Sequence, residues 1–299
     1  MTTVTITGGA GNLGREVALL LVERGHRVRL FDLPEADFGF AEGQAGLEVF
    51  RGDLRDSDSV AMACRSSEWV VHLAAVMPPL SEENRDLARD VNVEGTRAVL
   101  RAVAIGTPLV FASSVATYGL SRSEVVRIDH PQRPIDYYAE TKLQNEQDIM
   151  ASGHPHALLR ISGISVPALL EIPRPWFFSR DQRVEFVHQR DAATAVAGCV
   201  GNARALGGTW QIAGGESWRT TGCGYSQAIC EAFDYPVEMS AFLGEPSWPA
   251  WYDTRASQAL LRYQRHSFSS YCAELRSIYR EAVGEGAPPS SALGPPSEW

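Results

Sequence analysis

The chain has 299 residues, 44% of them hydrophobic and 21% charged, which is ordinary for a globular protein with a sizeable core. The net charge of -9 and the scattered basic residues argue against nucleic acid or an anionic membrane as a partner, because both need a concentrated basic face. No apolar stretch approaches the roughly 18 residues that span a bilayer, and the N-terminus has the pattern of a strand rather than a signal peptide. Five cysteines without CxxC spacing suit reduced thiols, so we expect a cytoplasmic protein without a metal site.

Predicted strands and helices alternate along the chain. The hydrophobic pattern predicts strands over residues 4–7, 26–31, 47–51, 69–73, 108–112, 157–161 and 184–187. It predicts helices over residues 15–24, 57–64, 81–105 and 137–152. Because strands that alternate with helices form parallel sheets with right-handed crossovers, we predict an α/β fold of the Rossmann type, with a doubly wound parallel sheet.

The composition changes after about residue 166, where proline and tryptophan become frequent. Segments 167–183 and 216–251 have the character of insertions and predict a small substrate lobe at the C-terminal side. The dinucleotide-binding domain is then expected over 1–166, rejoined by 184–215 and by 252–283, the last part being helical. The Gly/Pro/Ser-rich stretch 284–299 predicts a mobile tail.

A glycine-rich turn lies between the first strand and the first helix. Gly8 permits a tight turn, Gly11 leaves room for a pyrophosphate beside the backbone, and Gly14 lets helix and strand pack closely. Asp32 ends the second strand, where a carboxylate accepts hydrogen bonds from ribose hydroxyls and repels a 2′-phosphate. The pattern therefore favours NAD over NADP. Asp53, in a GD turn after the third strand, is a weaker candidate for the adenine amino group.

Tyr138 and Lys142 are four residues apart on a predicted helix and therefore share a face. Lys142 is the only lysine among 27 basic residues, and an ammonium near a phenol stabilises the phenolate that acid–base catalysis needs. Ser114 follows the strand over 108–112, at the edge of the sheet where α/β proteins bind ligands. A serine hydroxyl there is a candidate to orient a substrate oxygen.

With these residues in place, the chain resembles the extended short-chain dehydrogenases/reductases, the NAD-dependent epimerase/dehydratase group. The motifs that carry the resemblance follow the family's order: TGGAGNLG, Asp32, GDL, HLAA at 72–75, NVEGT at 92–96, SSVATYG, YAETK and VHQRD at 187–191. The resemblance implies that Tyr138 is the catalytic acid/base, that Lys142 assists it and also contacts the cofactor, and that Ser114 orients the substrate oxygen. It also implies a cofactor site and a homodimer formed by helices at 82–104 and 137–152. The implied cofactor residues are Gly8, Gly11, Asn12, Leu13, Gly14, Asp32, Asp53, Leu54, Leu73, Ala74 and Ala75.

The departures from the family pattern bear on the substrate. Val115 and Ala116 stand where the family's dehydratases carry an acidic pair, which argues against dehydration. No asparagine follows Arg160, although the nucleotide-sugar enzymes commonly have one there. Trp176, Phe177 and Phe178 suit an apolar substrate, or merely pack the lobe.

Three functions stay open at this stage. The first is an NAD-dependent oxidoreductase for the secondary alcohol or ketone of a small or hydrophobic molecule. The second is an epimerase, acting for example on a nucleotide sugar, that oxidises its substrate transiently and returns the hydride to the other face. The third is a non-enzymatic redox sensor, which would have no need of a serine–tyrosine–lysine set.

Overall fold

A computed structural model describes residues 1–169, 175–236, 242 and 244–283 of the chain. The predicted tail over 284–299 and part of the predicted lobe lie outside the described residues. The described part contains eleven strands: β1 (Thr3–Thr7), β2 (Arg27–Asp32), β3 (Leu47–Arg51), β4 (Trp69–His72), β5 (Leu109–Ser114), β6 (His156–Ile161), β7 (Ile164–Ser165), β8 (Arg183–Val184), β9 (Val187–His188), β10 (Gly208–Ile212) and β11 (Thr220–Thr221).

The α-helices of the described residues flank these strands. They are α1 (Asn12–Glu23), α2 (Ser57–Cys64), α3 (Leu80–Glu83), α4 (Arg85–Ala88), α5 (Gly95–Ala102), α6 (Tyr137–Ala151), α7 (Gln189–Cys199), α8 (Gly222–Ala232), α9 (Arg255–Leu261) and α10 (Phe268–Val283). A π-helical segment, Arg89–Glu94, connects α4 to α5. None of the helices in the described ranges is long and apolar enough to cross a membrane.

The main sheet has seven strands in the order β10-β6-β5-β4-β1-β2-β3, and every neighbouring pair is parallel. The strand order reverses between β1 and β4, which is the point where doubly wound sheets bind ligands. The register brings the carboxyl ends together, because Thr7 pairs with both Phe31 and His72. The predicted α/β fold of the Rossmann type is confirmed.

Two predicted elements differ from the structure. Residues 184–187 do not form a strand of the main sheet, because β8 and β9 are two-residue strands in two small separate sheets. The seventh strand is instead β10, which pairs with β6 and was not predicted. Its sequence, Gly208–Ile212, alternates only weakly, so its place at the sheet edge depends on the tertiary contact with β6.

The long helix predicted over 81–105 is interrupted. Asn84 has a non-helical backbone, with φ of -132° and ψ of 78°, and its side chain caps the next helix by accepting a hydrogen bond from the Leu87 N–H at 3.0 Å. Asparagine competes for backbone hydrogen bonds in this way, which is why it ends one helix and starts another. The short helix α3 is therefore independent of α4 and α5.

The core of the sheet domain is aliphatic and lies on both faces of the sheet. One cluster packs α1 and α7 against one face, and the other packs α2 and α5 against the opposite face. A third cluster, which we call the lobe cluster, is largely aromatic. Helix α10 contributes to this third cluster through Tyr271, Leu275 and Tyr279.

Candidate active site

The glycine turn joins the carboxyl end of β1 to α1. Gly8 has a φ of +72°, and a Cβ atom on it would lie 2.8 Å from the Ala74 nitrogen. A Cβ atom on Gly14 would lie 2.1 Å from the Gly8 oxygen, so the close approach of helix and strand requires glycine there. A Cβ atom on Gly11 would meet only the Gly8 oxygen, at 3.4 Å. Gly11 therefore faces open space that a ligand can use.

The N-terminus of α1 is suited to an anion. The helix begins at Asn12 and Leu13, no side chain caps it at Gly11, and its first turn contains no acidic residue. The first N–H groups of a helix carry partial positive charge and need acceptors. A phosphate group at this position would supply those acceptors.

Asp32 lies at the mouth of the glycine turn. One oxygen of its carboxylate accepts a hydrogen bond from the Ala10 N–H at 3.0 Å, and the other accepts from the Leu33 N–H at 2.9 Å. Arg51 pairs with Asp32 in the sheet, but its guanidinium donates to the carbonyl of Ala36 at 3.1 Å. The guanidinium of Arg51 is thus bonded to the backbone, and the Asp32 carboxylate is the charged group that the end of β2 offers to a ligand.

Asp53 and Leu54 have different surroundings. Arg55 forms a two-pronged ion pair with Asp53, and its side-chain hydrogen bonds lower the pKa of that carboxyl. Leu54 is buried in the sheet core, where a Cβ atom on Gly95 would lie 3.0 Å from the Leu54 Cβ. Their predicted contacts with adenine stay predictions.

The loop after β4 contains the partly exposed residues Leu73, Ala74 and Ala75 and is anchored by Asn92. The Asn92 side chain accepts a hydrogen bond from the Val76 N–H at 2.7 Å and donates to the Val76 carbonyl at 3.0 Å. It also donates to Thr141 Oγ1 on α6 at 3.1 Å. Asn92 was part of a sequence motif but was not predicted as a site residue, and its contacts tie this loop to the tyrosine helix.

A buried histidine supports the same loop. His72 Nδ1 lies 2.6 Å from Thr7 Oγ1, and His72 Nε2 lies 2.8 Å from Thr96 Oγ1. Burial lowers the pKa of His72 to about 3, and the charge of Lys142 acts in the same direction. A neutral imidazole at neutral pH suits a structural hydrogen-bonding role, which joins β1, β4 and α5 beneath the site.

Lys142 is almost completely buried. Its Nζ donates a hydrogen bond to the Ala112 carbonyl at 2.7 Å and lies 5.6 Å from the ring centre of Tyr138. Burial lowers the pKa of Lys142 from 10.5 to about 7, while the negative charge of Glu146 opposes this effect. The amine is therefore held beside the phenol and close to its own point of ionisation at neutral pH.

Tyr138 stands beside Ser114 at the carboxyl edge of the sheet. Burial raises the pKa of the Tyr138 phenol above its ordinary value of 10.0, and the charge of Asp136 adds to the increase. A hydrogen bond with the Ser114 side chain acts in the opposite direction. Ser114 is itself fixed at the end of β5, where its Oγ accepts from the Ala116 N–H at 3.1 Å. The structure therefore brings Ser114, Tyr138 and Lys142 together, as the sequence predicted.

A buried ionic network beneath these residues was not predicted. Glu146 follows Lys142 by one helical turn and accepts hydrogen bonds from Arg160 Nη2 at 2.7 Å and from Ser113 Oγ at 2.5 Å. Arg160 also donates to the Tyr118 hydroxyl at 2.9 Å. The feature of the sequence that could have indicated this network is the carboxylate of Glu146, four residues after Lys142. The network locks the end of β5 against α6 and β6.

The lobe cluster approaches the same edge through Phe186, which packs on Gly163. A Cβ atom on Gly163 would lie 2.6 Å from the Phe186 ring, so an aromatic ring occupies the space that a side chain at 163 would need. Phe186 lies within 6.2 Å of Trp248, measured between ring centres. Trp248 also packs on the small cluster that contains Val115, the residue after Ser114. Aromatic rings therefore pack on the cluster of the residue that follows the serine.

Metal binding has no support in the described part of the chain. No group of three or more His, Cys, Asp and Glu side chains there is arranged to hold a metal ion. Trp176 and Phe178 are buried, and the half-buried Phe177 stacks on the half-buried Trp248 with ring centres 5.4 Å apart. Phe177 also lies 6.0 Å from Phe186 between ring centres, so all three aromatic residues at 176–178 pack in the lobe cluster.

Comparison with known proteins agrees with this geometry. The model of the NAD dependent epimerase/dehydratase family matches residues 4–166. UDP-glucose 4-epimerase of Streptomyces lividans is 35% identical over 173 residues, or 54% of this chain and 50% of that protein. The decarboxylating sterol-4-alpha-carboxylate 3-dehydrogenase of Mus musculus is 30% identical over 173 residues, or 54% of this chain and 46% of that protein. The chain spans about half the length of these curated relatives.

Solved structures share the fold over a larger part of the chain. A short-chain dehydrogenase/reductase superfamily protein from Agrobacterium tumefaciens with bound NAD superposes with a TM-score of 0.79 at 21% identity, covering 94% of this chain and 98% of that one. UDP-glucuronic acid 4-epimerase from Bacillus cereus, in complex with NAD, gives a TM-score of 0.77 at 17% identity and covers 94% and 99%.

Proposed function

Because the chain belongs to the NAD-dependent epimerase/dehydratase family, we propose that it is an NAD-dependent oxidoreductase acting on a secondary alcohol or ketone. The observation that carries the proposal is the meeting of Ser114, Tyr138 and Lys142 at the carboxyl edge of the sheet, close to the glycine turn. A protein that only sensed the dinucleotide would have no need of this set, so we set the redox-sensor hypothesis aside.

The residues present fit NAD. Gly11 leaves open space beside the uncapped N-terminus of α1, where Asn12, Leu13 and Gly14 would hold the pyrophosphate. Asp32 would accept hydrogen bonds from the adenosine ribose and would repel a 2′-phosphate, which favours NAD over NADP. When bound, the cofactor accepts or supplies a hydride at its nicotinamide ring. We keep Asp53, Leu54, Leu73, Ala74 and Ala75 as proposed contacts with the rest of the cofactor.

The proton is handled by the protein. In ketone reduction, Tyr138 donates its phenolic proton to the carbonyl oxygen, whereas in alcohol oxidation its phenolate accepts the hydroxyl proton. Ser114 orients that oxygen by a hydrogen bond from its hydroxyl. The Lys142 ammonium stabilises the phenolate by Coulomb attraction, and a buried position strengthens that attraction.

The lobe favours a hydrophobic substrate. Phe186 fills the space over Gly163, and Val115 and Ala116 after Ser114 are buried and apolar, so the described residues on this side are largely apolar. The half-buried rings of Phe177 and Trp248 add to the apolar character of this side. We therefore propose a small or hydrophobic substrate.

The epimerase is the second candidate, and the 35% identity with UDP-glucose 4-epimerase of Streptomyces lividans favours it. An epimerase regenerates its cofactor in every cycle and so retains it. Dinucleotide released from the denatured protein, after purification without added cofactor, separates the two candidates. Stoichiometric NAD supports the epimerase, whereas an empty protein that binds NAD reversibly supports the dehydrogenase.

Substitution of the phenol tests the dehydrogenase. We expect Tyr138→Phe to lower turnover by about 10²- to 10⁴-fold, the usual contribution of a positioned acid or base, and to leave NADH affinity within about twofold. Turnover is followed by NADH absorbance with a panel of ketones, and affinity by NADH fluorescence. Full turnover by Tyr138→Phe would refute the role of the tyrosine.

We also make proposals for the oligomeric state and the cellular location of the protein. Helices α5 and α6 form one surface, joined by an ion pair from Arg97 Nε to Asp148 at 2.7 Å, and we propose that this surface forms a homodimer. Light scattering on the purified protein measures the mass of the assembly and so tests the dimer.

We also propose a cytoplasmic location. For the chain itself we propose a division into a Rossmann domain and a small lobe, with α10 packed on the lobe.

A further inference from the structure

Glu82 lies on the four-residue helix α3 and reaches the start of the tyrosine helix. Its Oε2 accepts a hydrogen bond from the Tyr137 N–H at 2.9 Å, and its Oε1 accepts one from the Tyr138 N–H at 3.0 Å. Ser81 Oγ also donates to Glu82 Oε1 at 3.0 Å. The carboxylate is half-buried. It binds two successive peptide N–H groups, and the second of them belongs to the catalytic tyrosine.

The start of α6 needs these acceptors. The first four N–H groups of a helix have no partner within the helix. The side chain of Asp136, the residue before α6, accepts from the Ala139 N–H, at 2.8 Å. The N–H groups of Tyr137 and Tyr138 therefore depend on a residue more than fifty positions earlier in the chain. Two carboxylates divide one helix terminus between them.

We propose that Glu82 is a positioning residue for Tyr138: its carboxylate fixes the first turn of α6 and thereby holds the phenol against Ser114. This inference rests on the proposed function. The interruption at Asn84 makes the contact possible, because α3 is free to turn its carboxylate toward α6. The same short helix follows the loop that Asn92 anchors, so Glu82 joins that loop to the tyrosine.

The Glu82 carboxylate should also influence the ionisation of the Tyr138 phenol. The partial positive charge at the start of α6 would favour the Tyr138 phenolate, and a carboxylate on the same N–H groups offsets it. Removal of the carboxylate charge should therefore lower the pKa of Tyr138. The charged and titratable groups that face this region are Glu82, Arg85, Asp136, Glu140 and Lys142.

The test compares Glu82→Gln with Glu82→Asp and with the control Glu83→Gln. Glutamine keeps one acceptor and loses the charge, aspartate keeps the charge on a shorter side chain, and Glu83 is an exposed neighbour with the same charge. In alcohol oxidation, we expect Glu82→Gln to lower kcat about tenfold and to shift the acid limb of the pH profile about half a pH unit lower, as a helix-terminus charge would. NADH affinity should stay within about twofold.

The remaining variants distinguish a role of Glu82 in positioning Tyr138 from a role in stabilising the fold alone. Glu82→Asp should restore the pH limb, and Glu83→Gln should change neither kcat nor the limb. A Glu82→Gln variant with unchanged kcat and limb would overturn the proposal. So would a loss of kcat that follows a lower melting temperature without a shifted limb, because that pattern indicates structure alone.

A second measurement needs no substrate. NMR of ring-labelled tyrosine reports the ionisation of Tyr138, which is identified by the signal that Tyr138→Phe removes. A lower midpoint in Glu82→Gln than in the wild type is expected, and an equal midpoint would refute the charge effect. The two proposals can be refuted independently. Turnover retained by Tyr138→Phe would refute the proposed function. An inactive Tyr138→Phe together with a Glu82→Gln variant that behaves as wild type would refute only the role of Glu82.

Discussion

The sheet domain and the lobe are stabilised by different kinds of contact. The sheet domain has an aliphatic core, and the polar groups near its site are held by specific hydrogen bonds, such as that from Lys142 to the Ala112 carbonyl. The lobe cluster is built from aromatic rings, with Phe186 and Tyr225 4.9 Å apart between ring centres. Hydrogen bonds fix atoms to within a few tenths of an ångström, whereas ring packing defines a shape.

The difference indicates how the two halves divide the work. Proton transfer needs a defined oxygen-to-oxygen distance, so its residues lie on rigid elements of the sheet domain. Choice of substrate depends on complementary surface, and we propose that the aromatic lobe offers it. We therefore expect substitutions in the sheet domain to affect turnover and cofactor binding, and substitutions in the lobe to affect which substrate is used.

The largest effect should come from Lys142→Met. We expect turnover to fall by about 10²- to 10⁴-fold, because the phenolate loses its positive neighbour. The same substitution should raise the stability of the folded protein. The pKa of Lys142 falls from 10.5 in the unfolded chain to about 7 in the folded protein, so the folded state is penalised fully below about pH 7 and not at all above about pH 10.5.

Thermal melting against pH measures that penalty. The wild type should gain stability as pH rises from 7 to 10.5 through this group, while Lys142→Met should lack that gain. The difference in melting temperature should thus be greater at pH 6 than at pH 10. Lys142→Arg serves as a control that keeps the charge, and equal pH dependence in all three proteins would contradict the assignment.

An intermediate effect is expected at the glycine turn, where two substitutions should separate binding from folding. Gly11→Ala adds a Cβ atom that meets only the Gly8 oxygen at 3.4 Å, so the melting temperature should be nearly unchanged. NADH affinity should fall about tenfold or more, since the methyl group occupies the ligand's space. Gly14→Ala places a Cβ atom 2.1 Å from the same oxygen and should destabilise the fold itself. If Gly11→Ala binds NADH normally, the proposed pyrophosphate site is wrong.

The smallest effect is expected in the lobe. Trp248→Leu should raise the KM for an aromatic ketone such as 4-phenyl-2-butanone about tenfold, because flat apolar contact is lost, and should leave the KM for acetone within about twofold. Phe233→Leu is the matched control, since Phe233 packs in the same cluster against Tyr279. Equal effects of Trp248→Leu on both ketones, or equal effects of the two variants, would show that the ring only supports the lobe.

The sequence predicted those features whose geometry is local. The glycine turn is a short segment between a strand and a helix, and Tyr138 and Lys142 share a helix face because they are one turn apart. Ser114 could be placed because carboxyl ends of parallel strands meet at one edge. The helix over 81–105 was predicted wrongly, since the backbone break at Asn84 leaves no strong signal in the hydrophobic pattern.

The tertiary structure alone decided the contacts between distant residues. Glu82 caps the tyrosine helix across a separation of 56 residues, and Phe186 occupies the space over Gly163. Neither pairing has a spacing rule, because the distance between such residues depends on how whole elements pack. The sequence by itself thus determined the fold, the glycine turn and the meeting of Ser114, Tyr138 and Lys142, whereas packing determined how the phenol is held and which aromatic rings come together.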